Sequence, residues 1–236
     1  ITHPFPIQAL TLPVALEGQD IIGQAKTGTG KTLGFGIPLL MDTLGPGEEG
    51  WDEDPASGSP QALVILPTRE LAKQVAEELS TAAAKRTVRI VQVYGGRAYE
   101  PQIEDLERGA EVVVGTPGRL IDLMERGVLD LAHVTTVVLD EADEMLDLGF
   151  LPDVEKILAR TRADRHTMLF SATMPGAVVA LARRYMTRPT HVRAQDPGDE
   201  GMTVQTVQQV VYRTHSMNKV EVVSRILQAE GRGRTI

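Results

Sequence analysis

Residues 25–32 read Ala25-Lys26-Thr27-Gly28-Thr29-Gly30-Lys31-Thr32, and they are the strongest indication of the fold class. A short β-type run at 20–23 precedes it, and residues 31–44 after it have the apolar spacing of a helix. A glycine-rich loop between a strand and a helix is typical of a phosphate-binding loop in an α/β protein. The sequence therefore predicts that this segment binds a nucleotide, either ATP or GTP.

The residue types in this loop suit phosphate chemistry. Gly28 and Gly30 let backbone N–H groups point at phosphate oxygens, and the N-terminus of the following helix adds partial positive charge. We expect Lys31 to reach the β- and γ-phosphates and Thr32 to offer its hydroxyl to Mg²⁺. The alternative is a turn rich in glycine and threonine with one exposed lysine. The general pattern G-x-x-x-x-G-K-[ST] has glycine where this chain has Ala25, and other motifs decide what that departure means.

Composition limits the class of protein. The chain has 236 residues, of which 42% are hydrophobic, with no cysteine and five histidines that lack metal-ligand spacing. We therefore expect a globular, cytoplasmic protein with neither disulfides nor a transition-metal site. The longest apolar run, 33–41, is far shorter than the roughly 20 residues of a membrane helix, so no membrane partner is expected.

The net charge of −8 would by itself argue against a nucleic-acid partner, because phosphate binding relies on Lys and Arg. Five of the acidic residues, however, lie in 45–61, a stretch without Lys or Arg. This stretch is also rich in Gly, Pro and Ser, so we interpret it as a flexible acidic loop on the surface. The rest of the chain is only mildly acidic, and its charge does not exclude a nucleic-acid ligand.

Short β-branched runs alternate with helical stretches from residue 19 to about 193. This alternation predicts an α/β fold, a parallel sheet with helices on both faces. In such sheets ligands collect at the carboxyl ends of the strands. The strands are expected at 19–23, 62–66, 88–94, 111–115, 134–139, 166–170 and 189–193.

The same patterns divide the chain into domains. Residues 1–193 are expected to form the first domain, and 194–203, with its Asp, Pro and Gly residues, to be a linker. A strand pattern at 205–213 and a helical one at 216–229 then follow. We interpret 204–236 as the beginning of a second, truncated α/β domain.

A carboxylate cluster follows one of the predicted buried strands. The strand at 134–139 leads directly into Asp140-Glu141-Ala142-Asp143. We expect Asp140 to hold Mg²⁺, partly through water, and Glu141 to orient or deprotonate the water that attacks the γ-phosphate. The alternative is a set of acidic residues in a first helical turn, where they favour the helix dipole. The phosphate loop upstream favours the catalytic interpretation, with Lys31, Asp140 and Glu141 as catalytic residues.

The tetrapeptide Asp-Glu-Ala-Asp gives its name to the DEAD-box ATP-dependent RNA helicases of superfamily 2, and the chain resembles this family over essentially its whole length. In that family the phosphate loop has the form A-x-x-G-x-G-K-T, so Ala25 is the expected residue. Pro6-Ile7-Gln8 resembles the family's Q motif, in which Gln8 would hydrogen-bond the adenine edge and select ATP. Without the family, Gln8 would be an ordinary polar helix residue. The resemblance implies a RecA-like domain with ATP and Mg²⁺ as ligands and an ATP site made of Gln8, Ala25, Lys26, Thr27, Gly28, Thr29, Gly30, Lys31 and Thr32.

Three further segments resemble the family's RNA-contacting motifs. They contain Pro67, Thr68 and Arg69, then Gly95 and Gly96, then Thr116, Pro117, Gly118 and Arg119. Thr68 and Thr116 are predicted helix N-caps, so helix N-termini would bind RNA phosphates through backbone N–H groups. Capping alone is the alternative. Arg69 and Arg119 would add charge-assisted contacts to RNA, or else pair with Glu or Asp inside the protein.

Ser171-Ala172-Thr173 resembles the motif that couples ATP to RNA in this family. The hydroxyls of Ser171 and Thr173 would hydrogen-bond Asp143 and so connect the nucleotide site to the RNA surface. The alternative for Thr173 is that it caps a helix that begins near Pro175.

The resemblance implies an ATP hydrolase whose turnover is stimulated by RNA and which unwinds short RNA duplexes locally. RNA, as a single strand or a short duplex, is the expected partner, together with a second RecA-like domain in cis that contributes arginines to the γ-phosphate. Residues 1–236 alone should therefore bind nucleotide weakly and unwind nothing. Two alternatives stay open: a DNA helicase or translocase, because only the 2′-OH distinguishes RNA from DNA, and a non-catalytic, ATP-gated RNA clamp.

Overall fold

The structure is a computed structural model that describes residues 3–194 and 218–228. The chain divides into two compact units, Ile1–Asp196 and Pro197–Ile236. The first unit contains a seven-stranded sheet in the order β3-β4-β2-β5-β6-β1-β7, and every strand pair in it is parallel. The strands are β1 (Ile21–Gln24), β2 (Ala62–Ile65), β3 (Ile90–Val93), β4 (Val112–Gly115), β5 (Thr136–Leu139), β6 (His166–Ser171) and β7 (Thr190–Arg193).

These seven strands confirm the predicted α/β fold with its parallel sheet. Helices connect the strands in the alternating pattern that the sequence indicates. A short 3-10 helix, Trp51–Glu53, lies between α2 and β2. The helices are α1 (Pro6–Ala15), α2 (Lys31–Met41), α3 (Arg69–Ala82), α4 (Glu100–Glu107), α5 (Pro117–Glu125), α6 (Ala142–Asp147), α7 (Leu151–Leu158), α8 (Gly176–Tyr185) and, in the second unit, α9 (Lys219–Gln228).

Some element ends differ from the prediction because side chains take over backbone hydrogen bonds. β3 begins at Ile90 and not at residue 88, since the N–H of Arg89 donates to the carboxylate of Glu111 at 2.7 Å. The predicted helix over 31–44 ends at Met41. Beyond it, the N–H of Leu44 donates to the side-chain oxygen of Gln61 at 2.9 Å, which turns the chain toward β2.

Both faces of the sheet are buried, as is usual for parallel sheets. In β2, Leu63 and Ile65 pack into the core layer that contains α5, α7 and α8, while Ala62 and Val64 face the layer that contains α1, α2 and α3. Successive residues of the strand therefore pack into opposite core layers. Burial of each such aliphatic side chain contributes about 1.5–3 kcal/mol, so the two layers hold the strand ends in fixed positions.

The predicted acidic loop at 45–61 is joined to the domain by Arg86. The Nε of this arginine donates to the Glu48 carboxylate at 3.0 Å, and its Nη2 donates to the carbonyl of Thr43 at 2.7 Å. Hydrogen bonding from Arg86 lowers the pKa of Glu48 below its ordinary value. The loop thus has a defined attachment point, and its flexibility stays a prediction.

The described part of the second unit is α9, whose side chains of Val220, Val223, Ile226 and Leu227 are exposed. This helix falls within the one predicted over 216–229. The predicted strand at 205–213 lies outside the described residues, as does all of the linker except Ala194, and the domain boundaries stay predictions. None of the helices among the described residues is long and apolar enough to cross a membrane.

Candidate functional site

Three neighbouring strands end at one place on the sheet. β5, β6 and β1 are adjacent in the sheet order, and their carboxyl ends lead into Asp140, Ala172 and Ala25, respectively. The backbone N–H of Ala25 donates to the carbonyl of Ser171 at 3.2 Å and so joins the loop after β1 to the end of β6. The sheet order therefore brings together the phosphate-loop sequence, the carboxylates and the Ser171-Ala172-Thr173 segment.

The loop at 25–30 has the backbone that its glycines allow. Gly28 and Gly30 have φ angles of 81° and 79°, in the left-handed region that side chains other than glycine rarely adopt. A Cβ on Gly30 would also come within 2.7 Å of the Gln8 side chain. The hydroxyl of Thr29 donates to the carbonyl of Lys26 at 2.7 Å across the loop. Gly30 is the N-cap of α2, so this turn leads directly into the N-terminus of that helix.

Lys31 lies buried between the two carboxylates that follow β5. Its Nζ is 2.8 Å from Glu141 Oε1 and 3.5 Å from Asp140 Oδ1, and each of the three side chains is at most 7% exposed. Burial alone would lower the pKa of Lys31, but the carboxylates of Asp140 and Glu141 outweigh it and raise that pKa above 10.5. Lys31 is therefore fully charged at neutral pH. Thr32, next to it in the first turn of α2, is half-buried.

For Asp140, burial affects the pKa more than the neighbouring charge of Lys31 does. Burial raises the pKa of Asp140 to about 6, even though the nearby Lys31 ammonium lowers it. The N–H of Glu141 donates to Asp140 Oδ1 at 2.9 Å. A buried carboxylate oxygen is the type of ligand that a hard cation such as Mg²⁺ takes.

Glu141 has an unusual backbone. Its φ and ψ angles are 54° and 50°, which is left-handed, and it is the N-cap of α6. For a residue with a Cβ, this conformation costs roughly 1–2 kcal/mol. It directs the carboxylate to Lys31 and to the hydroxyl of Thr27, which donates to Glu141 Oε1 at 2.9 Å. Strain of this kind concentrates at functional sites, and no sequence pattern marks it in advance.

Gln8 is buried against the loop. Its Nε2 donates to the carbonyl of Gly30 at 2.8 Å, and its Oε1 accepts the N–H of Phe5 at 3.0 Å. The second contact is the half of a capping box in which the third helical residue bonds back to the N-cap of α1; Phe5 at the N-cap has no side-chain acceptor for the reciprocal bond. Gln8 is thus in contact with the predicted ATP loop, and its contact with adenine stays a proposal.

The segments predicted to contact RNA lie at the carboxyl ends of the other strands. Thr68 follows β2, Gly95 and Gly96 follow β3, and Thr116 follows β4. Because β3, β4 and β2 are adjacent in the sheet order, these segments line one half of the edge and the nucleotide loop the other half.

Thr68 is an N-cap with a side-chain hydrogen bond, whereas Thr116 occupies the N-cap position without one. The hydroxyl of Thr68 accepts the N–H of Leu71 at 3.4 Å, at the start of α3. Thr116 occupies the N-cap position of α5, with Pro117 in the first turn as predicted, but its side chain makes no cap hydrogen bond. The N–H of Thr116 instead donates to the carbonyl of Val93 at 3.0 Å, which joins the residue to β3.

The two arginines predicted to contact RNA differ in their surroundings. Arg69 is exposed and forms an ion pair with Glu70, the internal alternative that the sequence leaves open. Arg119 is only 9% exposed, and its guanidinium donates to the carbonyl of Arg97. The hydrogen bonds described for Arg119 go to a backbone oxygen and not to a carboxylate, so the alternative of pairing with Glu or Asp is not found there, and contact with RNA stays a prediction. Its burial depends on tertiary packing that local sequence does not contain.

The Ser171-Ala172-Thr173 segment contacts Asp143 as the family resemblance implies. Both the N–H and the hydroxyl of Thr173 donate to Asp143 Oδ2 at 2.8 Å, and the Ser171 hydroxyl accepts the N–H of Asp143 at 3.1 Å. The alternative, that Thr173 caps the next helix, is wrong: α8 has Pro175 as its N-cap. Burial alone would raise the pKa of Asp143, but hydrogen bonds from Thr173 and Ser171 outweigh it and hold that pKa below 3.8.

Replacing Thr173 with valine should weaken the domain at neutral pH by about 1 kcal/mol, because a hydrogen bond to a partly exposed carboxylate is lost. A carboxylate with a lowered folded-state pKa contributes stability well above its unfolded value of 3.8, and this contribution is lost as the pH falls through the lowered value. The variant should therefore lose less stability than the wild type on acidification. Urea denaturation at neutral and acidic pH measures both effects, with Thr161→Val as the control; equal acid sensitivity of Thr173→Val and wild type would contradict the assignment.

No group of three or more His, Cys, Asp or Glu side chains in the described part of the chain is arranged to hold a metal ion. A hard cation at this edge would need further oxygen ligands from a bound phosphate.

Comparison with known proteins gives one consistent family. The model of the DEAD/DEAH box helicase family matches residues 5–181. A DEAD-box ATP-dependent RNA helicase CshA of Geobacillus kaustophilus is 46% identical over 225 residues, which are 95% of this chain and 45% of the relative. The protein of the same name from Bacillus subtilis is 43% identical over 225 residues, again 95% of this chain and 43% of the relative.

Solved structures agree with the fold. The crystal structure of a DEAD box protein from the hyperthermophile Methanococcus jannaschii superposes with a TM-score of 0.75 at 37% identity and covers 97% of this chain and 58% of that one. A hypothetical ATP-dependent RNA helicase from Sulfolobus tokodaii gives a TM-score of 0.72 at 36% identity, covering 82% of this chain and 54% of that one. The chain thus spans about half the length of the curated relatives it matches.

Proposed function

The chain belongs to the DEAD/DEAH box helicase family, and from that premise we propose that it provides the ATP-binding half of an ATP-dependent RNA helicase. The observation that carries the proposal is the buried contact of Lys31 with Asp140 and Glu141 beside a left-handed glycine loop. A lysine and two carboxylates in a site of low exposure are the groups that phosphoryl transfer to water requires.

Each of these groups has a distinct role in the proposed hydrolysis. The backbone N–H groups of residues 28–32 bind phosphate oxygens at the N-terminus of α2, and Lys31 stabilises the negative charge that develops on the γ-phosphoryl group. Glu141 accepts a proton from the attacking water, and Lys31 and Thr27 hold its carboxylate in place.

Thr32 and Asp140 fit a magnesium ion, because both offer only oxygen ligands and Asp140 is a buried carboxylate. When bound with the nucleotide, Mg²⁺ supplies neutralisation of phosphate charge. The chain's own contribution is to orient the Asp140 carboxylate through the N–H of Glu141.

The RNA surface is proposed to lie on the β3-β4-β2 half of the same edge. The loop after β3 and the N-termini of α3 and α5 are placed there, and helix N-termini bind phosphates without requiring a basic surface. This explains how a chain with a net charge of −8 can bind RNA. Asp143 accepts a hydrogen bond from the hydroxyl of Thr173, which follows the strand next to the one before the phosphate loop. We assign to Asp143 the coupling of the ATP half of the edge to the RNA half.

The test measures ATP hydrolysis by the full-length protein, meaning the protein with a complete second helicase domain. Turnover is compared with no nucleic acid, with single-stranded RNA and with DNA of the same sequence. RNA should accelerate hydrolysis and DNA should not. Equal stimulation by DNA would indicate a DNA translocase, and stable ATP-dependent RNA binding without hydrolysis would indicate a clamp.

We also propose that a second domain completes the ATP site. Residues 1–236 alone should then bind nucleotide weakly, hydrolyse it slowly and separate no duplex. Hydrolysis by residues 1–236 at the full-length rate, with the same stimulation by RNA, would contradict this part of the proposal.

A further inference from the structure

The loop at 94–98, which joins β3 to α4, has a backbone open to a ligand. Within the described ranges, the N–H groups of Gly95 and Gly96 have no hydrogen-bond acceptor. Gly96 has a φ angle of 78°, and a Cβ added to it would come within 3.1 Å of Arg69 Nη1, whereas a Cβ added to Gly95 would meet no atom within 4 Å. Successive backbone N–H groups around a left-handed residue form a concavity that binds anions.

This loop is held in place by side chains from outside it. Gln102, in α4, is fully buried, and its Oε1 accepts the N–H of Tyr94 at 3.0 Å while its Nε2 donates to the carbonyl of Ala98 at 2.8 Å. One amide therefore joins the two ends of the loop. No sequence pattern marks Gln102, because a glutamine in a first helical turn is usually a solvated residue.

Arg119 fixes the middle of the loop from within the protein. Its Nη1 and Nη2 both donate to the carbonyl of Arg97 at 3.1 Å. Its guanidinium lies 3.8 Å from the centre of the Tyr99 ring, and that of Arg126 lies 4.1 Å from the same centre. The Tyr99 hydroxyl donates to the carboxylate of Asp122. Stacking and a forked pair of hydrogen bonds leave Arg119 a single orientation.

We propose that Gln102 and Arg119 are positioning residues that hold the backbone N–H groups of Gly95 and Gly96 open to an RNA phosphate, and that Arg119 is not itself an RNA ligand. This inference rests on the proposed RNA-binding function. It assigns to Arg119 a role in shaping the surface and not in neutralising phosphate charge. Arg97 is the exposed charged side chain of the loop, and it has no ion pair in the part of the chain that the structure describes.

The salt dependence of RNA binding separates the two roles. A cation that contacts a phosphate releases counterions, so its loss lowers the slope of log K against log salt by roughly 0.7 for a single strand. Loss of a positioning residue removes neutral N–H contacts and leaves that slope unchanged. Lysine keeps the charge of an arginine but lacks its planar fork, so it replaces a phosphate ligand far better than it replaces Arg119.

The experiment measures binding of a fluorescent single-stranded oligouridine to the full-length protein by anisotropy over a salt series. Arg119→Met, Arg119→Lys and Gln102→Met should each weaken binding roughly tenfold, as expected for the loss of about one hydrogen bond, with the wild-type slope. The matched control, Arg97→Met, should lower the slope. Binding of ATP, which lies on the other half of the sheet edge, should be unchanged in every variant and reports correct folding.

Two results would overturn the inference. In the first, Arg119→Lys binds RNA like the wild type and Arg119→Met has a lower slope of log K against log salt. In the second, Arg119→Met and Gln102→Met both bind RNA like the wild type. Should Arg119→Met fail to fold, Gln102→Met and Tyr99→Leu carry the same comparison; Tyr99→Leu removes the stack and the bond to Asp122 but keeps the hydrogen bonds from Arg119 to the carbonyl of Arg97. A wild-type protein that binds no RNA would instead refute the proposed function, so the two failures are distinguishable.

Discussion

Replacing Glu141 with glutamine should nearly stop ATP hydrolysis while leaving nucleotide binding almost unchanged. The glutamine has the same shape and keeps an oxygen that can accept from Lys31 and Thr27, which lie 2.8 and 2.9 Å from Glu141 Oε1. It lacks the negative charge and the basicity that activate water. General-base catalysis contributes roughly 10²–10⁴-fold, so single-turnover hydrolysis by the full-length protein with RNA should fall by that factor.

The control for this prediction is Glu144→Gln, which removes the same charge from a half-buried position in α6. It should hydrolyse ATP at close to the wild-type rate. The dissociation constant of a fluorescent ATP analogue provides the second measurement, and it should agree for wild type and both variants. Wild-type turnover in Glu141→Gln, or loss of its nucleotide binding, would refute the assigned role.

Replacing Lys31 with alanine should abolish nucleotide binding and also destabilise the domain. Its ammonium is the cation that lies between Asp140 and Glu141, whose side chains are 7% exposed. Removal of one partner from a buried ion pair leaves uncompensated charge and costs about 3–5 kcal/mol. The free energy of unfolding, obtained from urea denaturation of residues 1–236 at neutral pH, should fall by about that amount.

A double variant separates charge imbalance from a simple loss of packing. Adding Glu141→Gln to Lys31→Ala removes one of the two uncompensated carboxylates, so the double variant should be more stable than Lys31→Ala alone. Lys73→Ala, at an exposed position 4.0 Å from Glu77, is the matched control and should change stability by less than about 1 kcal/mol. An additive loss in the double variant would contradict the ion-pair account.

Much of the fold follows from local sequence. Each of the seven predicted strand segments forms a strand, and β2, β4 and β5, which are buried at every position, consist mostly of the aliphatic residues favoured in such strands. The loop at 25–32 lies between a strand and a helix as its glycines require, with Gly28 and Gly30 in the left-handed region. The convergence of motifs at one sheet edge follows from the parallel topology alone.

The details of the site depend on tertiary contacts that local sequence does not contain. The left-handed backbone of Glu141 is set by its contacts with Lys31 and Thr27, which lie more than a hundred residues away. For Arg119 the sequence leaves open a contact with RNA or pairing with Glu or Asp, and it does not indicate the contacts that α5 gives this side chain with Tyr99 and the carbonyl of Arg97. Local sequence propensities predict neither the backbone of Glu141 nor the contacts of Arg119, because both depend on which elements become neighbours in the fold.

Titration of residues 1–236 with Mg·ATP in an isothermal calorimeter measures whether the loop at 25–32 binds a nucleotide. We expect weak binding at one site per chain, and we expect that GTP does not displace ATP, because Gln8 would select adenine. A folded wild-type chain that binds no ATP, or one that binds GTP equally well at this site, would refute the assignment of the loop as an ATP site.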